Sequence, residues 1–177
     1  MTEYTFSKGT VEKYDIRWSR GEWAVFTIDN ATGLMQCHSS YGDWSYAWPN
    51  HGRKSFKLFI LELEKDWYYL LDKVSDEIFD FDETVKRWKK IIIDWRKQDE
   101  CTKEQARKIY DFINEDLDES EGETCIRRLD ESEAMQDINV CVYEEFPLEK
   151  NWSGQDIIFA KTIWPMLCDI LRKEIKK

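Results

Sequence analysis

Glycine and proline are sparse in this chain, seven and three of 177 residues, and there are only two histidines, His38 and His51. So few glycines leave no phosphate-cradling loop: neither G-x-x-x-x-G-K nor G-x-G-x-x-G occurs. The H-E-x-x-H pattern of zinc hydrolases and the G-x-S-x-G nucleophile elbow are missing as well. The five cysteines (Cys37, Cys101, Cys125, Cys141 and Cys168) are scattered, odd in number and never form C-x-x-C, so they read neither as a disulfide framework nor as a zinc knuckle. Reduced, mostly buried thiols of a cytosolic protein are expected instead. Apolar runs such as FILEL and III fall far short of the roughly 18 residues that cross a bilayer. The opening MTEYTFSKGT lacks the charged-then-apolar order of an export signal. Basic charge is also in deficit, 26 Lys and Arg against 36 Asp and Glu for a net of −10, which opposes contact with nucleic-acid phosphates or anionic lipid. These absences together predict no metal, no cofactor, no direct nucleic-acid or membrane partner, and a function other than catalysis.

Aromatic residues are what the chain has in quantity: nine Trp, eight Tyr and nine Phe. Each removes roughly 150–250 Å² from water when buried, enough to build a core despite 35% charged residues. The length suits a single domain over 1–177 with one core, mainly β over 1–52 and mainly α over 53–177. In VEKYDIRW, Tyr14, Ile16 and Trp18 alternate with Lys13, Asp15 and Arg17, the period of a strand with one wet face. EWAVFTI is apolar at nearly every position and predicts a strand covered on both faces, joined through the turn residues DNATG to a partner strand LMQCHSS. The stretch SSYGDWSYAWPNHG then reads as a tight turn or glycine bulge at Tyr41-Gly42-Asp43 and a strand whose Trp44, Tyr46 and Trp48 point one way, ended by Pro49 and Gly52.

From Ser55 the period becomes helical. SFKLFILEL and DWYYLLDKV predict two short helices or one broken one. Over 84–97, Val85, Trp88, Ile91, Ile92 and Trp95 share one face, with six Lys and Arg covering the other. Thr102 and Gln105 have the form of a capping box, opening a helix with Ala106, Ile109, Tyr110, Ile113 and Leu117 on its apolar side. A loop or weak helix start at EDLDESEGETC, a shorter helix around Cys125 to Met135, a short strand NVCVY and a last helix from about Gln155 to Lys176, interrupted or restarted at Pro165, complete the reading. The fold class expected is α+β: an N-terminal antiparallel meander of about four strands packed with four to six C-terminal helices.

Candidate chemistry is thin. Cys37 and His38 are adjacent in a strand, so their side chains diverge and cannot act as a dyad. Asp43 and His51 flank the aromatic strand and could meet across it, but two groups without a third fall short of a metal site. Charge is more informative because its sign alternates along the chain. Residues 113–133 carry nine acids against two bases, and 72–83 six acids against one. Between them lies the basic helical segment, six bases and one acid. The plain reading is a set of solvated faces with the basic helix paired against its acidic neighbours. The sharper one is that Glu115, Asp116, Asp118, Glu119, Glu121 and Glu123 form a partner-binding ridge whose carboxylates imitate DNA phosphates in front of a basic groove. A rival reading is a small-ligand or nucleotide binder using Asp43, Trp44, Trp48, His51, Arg53 and Lys54, although strand-spaced aromatics are more often core. A hydrolase is a weaker rival still.

The run YDIRWSRGEWAVFTIDNATGLMQCHSSYGDWSYAWPNHG, followed by FKLFILELEKDWYYLLDKV, CTKEQARKIYDFI and the apolar IWPML, resembles a family of small accessory proteins of tailed phages and enterobacterial prophages. Its distinctive mark is Tyr41, Gly42, Asp43, Trp44, Tyr46 and Trp48; members more often carry Asp where Ser40 stands here. The resemblance implies a phage protein acting in the bacterial host cytoplasm, with a host protein, such as a component of a nucleic-acid-handling defence system, as the partner. It transfers no active site.

Overall fold

The computed structural model describes residues 4–119, 121–136, 138 and 140–176. In chain order the elements are β1 (Glu12–Arg17), β2 (Trp23–Asp29), β3 (Leu34–Ser39), β4 (Gly42–Ala47), α1 (Phe56–Leu63), α2 (Trp67–Val74), β5 (Ile78–Phe79), α3 (Phe81–Lys97), α4 (Lys103–Glu115), α5 (Gly122–Asp130), α6 (Val142–Glu145), β6 (Lys150–Asn151), α7 (Gly154–Ile158) and α8 (Trp164–Ile175). The fold is α+β, an N-terminal four-strand antiparallel meander followed by helices, as the change of hydrophobic period predicts. Contacts divide the chain into two compact units. The first runs to Asp76 and resumes at Trp152; the second is Glu77–Asn151. Each has its own cluster of buried side chains, where length alone led us to expect one core.

In the first unit the sheet runs in the order β1-β2-β3-β4. Ile16, Ala24, Phe26, Ile28, Met35, Cys37 and Trp44 point to one face and are buried there against Phe56 and Ile60 of α1, Leu70 and Leu71 of α2, and Trp164, Leu167 and Leu171 of α8. Alternation in β1 arises because Lys13, Asp15 and Arg17 face water. Strand β2 departs from expectation: Trp23, Val25 and Thr27 on its outer face are only half-buried, while Ala24, Phe26 and Ile28 on the other face are fully buried. The β2–β3 turn is held by Asp29, which accepts from the Ala31 N–H at 2.9 Å and the Thr32 hydroxyl at 2.7 Å. Gly33 closes it at φ +70°, where a Cβ would lie 2.4 Å from the Trp48 carbonyl oxygen, so no other residue fits.

Helix starts follow capping chemistry. Ser55, Asp66 and Asp80 each accept from the backbone N–H three residues on, and Thr102 with Gln105 forms the capping box foreseen. After α7 the chain makes a wide π turn over Phe159–Ile163 before α8. Pro165 sits in the first turn of α8, where its missing N–H is tolerated, so the proline restarts the helix. Lys57, only 15% exposed at its side chain, bridges Glu12 of β1 and Glu174 of α8, with the Tyr14 hydroxyl within hydrogen-bond reach of both carboxylates and its one proton available to either.

The second unit buries Trp88, Ile92 and Trp95 of α3 against Ile109 and Ile113 of α4, Ile126 and Leu129 of α5, Val142 and Phe146. Trp88 donates its indole N–H to the Pro147 carbonyl at 2.8 Å. The segment NVCVY, read as a strand, instead turns helical at Val142. The Glu144 and Glu145 N–H groups donate to the Cys141 carbonyl and the Phe146 N–H donates to the Val142 carbonyl, the bonding of a helical turn that carries Val142 and Phe146 into the core. Asn139 of that segment lies outside the described residues. The helix expected around Cys125 to Met135 is α5, ending at Asp130, with Met135 buried in the turns beyond.

Candidate functional site

Register decides the fate of the aromatic strand. Trp44 lies opposite Cys37 and Tyr46 opposite Met35, which turns both rings to the inner face. Trp44 stacks on Phe159 with centroids 4.3 Å apart and donates its indole N–H to Asp156 at 2.7 Å. Trp48 is buried among Tyr46, Phe56 and Phe59. Tyr46 shares the direction but stays 38% exposed at the sheet margin. Asp156 is itself buried. Burial opposes its charge, but hydrogen bonds from Ser153, Trp44 and Ser75 outweigh that and hold its carboxyl below the usual range.

The remaining candidate ligand residues scatter. The two-residue connection Ser40-Tyr41 sets Asp43 directly across from His38, so their side chains pair on the outer sheet face and Asp43 does not meet His51. His51 packs against Phe56 and Phe59, its Nδ1 accepting from the Arg53 N–H at 3.2 Å. Arg53 is held by Glu62 at 2.8 Å, and Lys54 projects into solvent. Cys37 diverges from His38 into the core, where burial pushes its thiol up to about 12; Cys168 is raised to about 12 in the same way. Both are poor nucleophiles at neutral pH.

The acidic stretch is built differently. Helix α4 ends at Glu115, Leu117 inserts into the second unit's core, and α5 begins at Gly122, with Cys125, Ile126 and Leu129 as its buried face. Those anchors leave Glu115, Asp116, Asp118, Glu119, Glu121 and Glu123 all exposed. Arg128 donates to Asp118 at 2.5 Å and to the Asp116 carbonyl, which ties the loop back to α5. Among the described residues no ion pair joins the basic helix α3 to this ridge. Its cations pair close by: Lys86 with Glu83, Arg96 with Asp99, Lys97 with Asp94 and Arg87 with Glu149, while Lys89 lies over the Tyr110 ring. Glu121 and Glu123 sit at the N-terminus of α5, where the helix dipole favours negative charge.

Beside them lies an open groove of about 570 Å³ between α5 and residues 143–148, which periodicity did not reveal because most of its second wall, Phe146 to Leu148, lies in the stretch EEFPLEKNWSG, which reads as irregular. Among the described residues, no three His, Cys, Asp or Glu side chains come together as metal ligands, and no helix is long and apolar enough to cross a membrane.

Fold and surface define an α+β protein with six exposed carboxylates between Glu115 and Glu123 on one of its two units. The chain belongs to a phage protein family, described only as a phage family, whose model matches residues 4–173. No curated protein and no solved structure matches it.

Proposed function

We propose that this phage protein is a non-enzymatic accessory factor that binds, and thereby inhibits or redirects, a host bacterial protein in the host cytoplasm. The partner is a nucleic-acid-handling defence component, whose basic groove takes the ridge in place of DNA or RNA. The observation carrying this reading is that all six carboxylates from Glu115 to Glu123 are exposed around buried anchors, with α3 pairing elsewhere. Duplex DNA presents roughly one charge per 1.7 Å of axis, and a run of six acids in nine residues offers a comparable density to lysines and arginines evolved for phosphate. Association through such a face is fast at low salt and weakens as salt rises.

The experiment is affinity capture from bacterial lysate at low and high salt, with the wild type beside D116N/D118N/E119Q/E121Q. A host protein retained at low salt, released by salt and missing from the quadruple variant is the expected result. Undiminished capture by that variant overturns the assignment.

A further inference from the structure

The groove beside the ridge is apolar at its base and acidic at its rim. Ile126 and Phe146 are buried in its floor, Leu148 is half-buried, and Tyr143 stands at its side 56% exposed. Glu121 and Glu123 belong both to its lining and to the ridge, and Arg127 is the one cation among its described lining residues. The walls are fixed from behind. Pro147 is held by the Trp88 indole at 2.8 Å. At Gly122 a Cβ would come within 2.9 Å of both the Leu148 and Phe79 side chains, so glycine lets the start of α5 lie close against them.

We propose that this groove receives an aromatic side chain of the host partner, carried on a peptide segment with Lys or Arg on either side of it. The proposal rests on the ridge being the partner-binding face and names the chemistry that face selects. Charge complementarity chooses the occupant: the rim acids repel phosphates and repel a second copy of this acidic chain, while they attract flanking cations. An aromatic anchor packed against apolar side chains is a common source of concentrated interface energy, and the exposed Tyr143 ring at the side of the groove gives the anchor ring a surface to pack against. The carboxylates thus steer and the groove selects.

The test is fluorescence anisotropy with a labelled peptide bearing one Phe between paired lysines, against the same peptide with Ala for Phe. The wild-type protein should bind the Phe peptide at least about tenfold more tightly than the Ala peptide, at equal salt dependence. Tyr143→Ala and Thr124→Arg change side chains that are exposed or half-buried, so both variants should melt as the wild type does; each should bring the two peptides to near equality. Equal binding of both peptides by the wild type, or an undiminished Phe preference in both variants, overturns the proposal. The two readings fail separately. If the groove assignment is wrong, the Phe preference vanishes while host capture still depends on the ridge acids; if the ridge assignment is wrong, D116N/D118N/E119Q/E121Q captures its partner unchanged.

Discussion

The two units divide charge and aromaticity between them. The first, through Asp76 and from Trp152 onward, carries 14 acids and 14 bases and seven of the nine tryptophans. The second, Glu77–Asn151, carries 22 acids and 12 bases and two tryptophans, so the whole net charge of −10 resides there. The first unit therefore resembles a neutral scaffold built on a sheet and an aromatic interior, with its charges spent on ties such as Lys57 between Glu12 and Glu174. The second buries a smaller aromatic set and puts its surplus carboxylates in water. Self-repulsion among them is expected to cost some stability.

The strongest way to sharpen this contrast is in the cores. Trp164 in the first unit and Trp88 in the second are both fully buried, and Ala at either should cost about 3–5 kcal/mol in denaturant unfolding. Phe at the same positions separates them. The Trp88 indole donates to Pro147, whereas the buried Trp164 Nε1 has no acceptor among the described residues. Trp88→Phe should therefore be the costlier change, by about 1 kcal/mol, since it orphans a carbonyl while Trp164→Phe removes an unsatisfied donor.

Acid should act next, through Asp156 in the neutral unit. Its carboxyl is held below the ordinary range by Ser153, Trp44 and Ser75 against the opposing effect of burial. The stability it contributes is complete above its unfolded value and is lost as pH falls through its folded one. Asp156→Asn should lower stability by about 1–2 kcal/mol at pH 7, by weakening the cap of α7, and should flatten the decline below pH 4. Thermal melts across pH 2 to 7 check this, and parallel curves for wild type and variant would remove Asp156 from the account.

What was legible in the residues tracks how local each signal is. Alternation in β1 and the Thr102 and Gln105 capping box depend on a few neighbours, and both were read correctly; at Pro165 the residues left a kink and a restart open, and the structure shows the restart. Register is not local. Asp43 partners His38 because the turn is two residues long, a fact that Tyr41-Gly42-Asp43 does not specify by itself. Val142 has strand propensity, yet its contact with the second unit's core and the backbone bonds to Cys141 make the segment helical. The chain leaves and re-enters the first unit through Ile78–Phe79 and Lys150–Asn151, two-residue strands with no linker composition to announce them. For the candidate site, the exposed acids were visible as a composition run, whereas the groove needed Phe146 and Leu148 brought beside α5 from some twenty residues away.

The smallest expected effect bears most directly on what the acidity is for. If the ridge carboxylates repel one another in the free protein, neutralising Asp116, Asp118, Glu119 and Glu121 should raise the melting temperature at low salt by no more than about 2 °C, and added salt should bring wild type and variant together. Asp118 works against this gain, since its loss breaks the pair with Arg128, so restoring Asp118 alone in the variant should lift the midpoint further. A ridge whose removal stabilises the protein while abolishing host capture is retained for binding and not for folding. A ridge whose removal destabilises it at every salt concentration belongs to the architecture of α4 and α5, and the contrast between a neutral scaffold and an acidic working surface would then have to be redrawn.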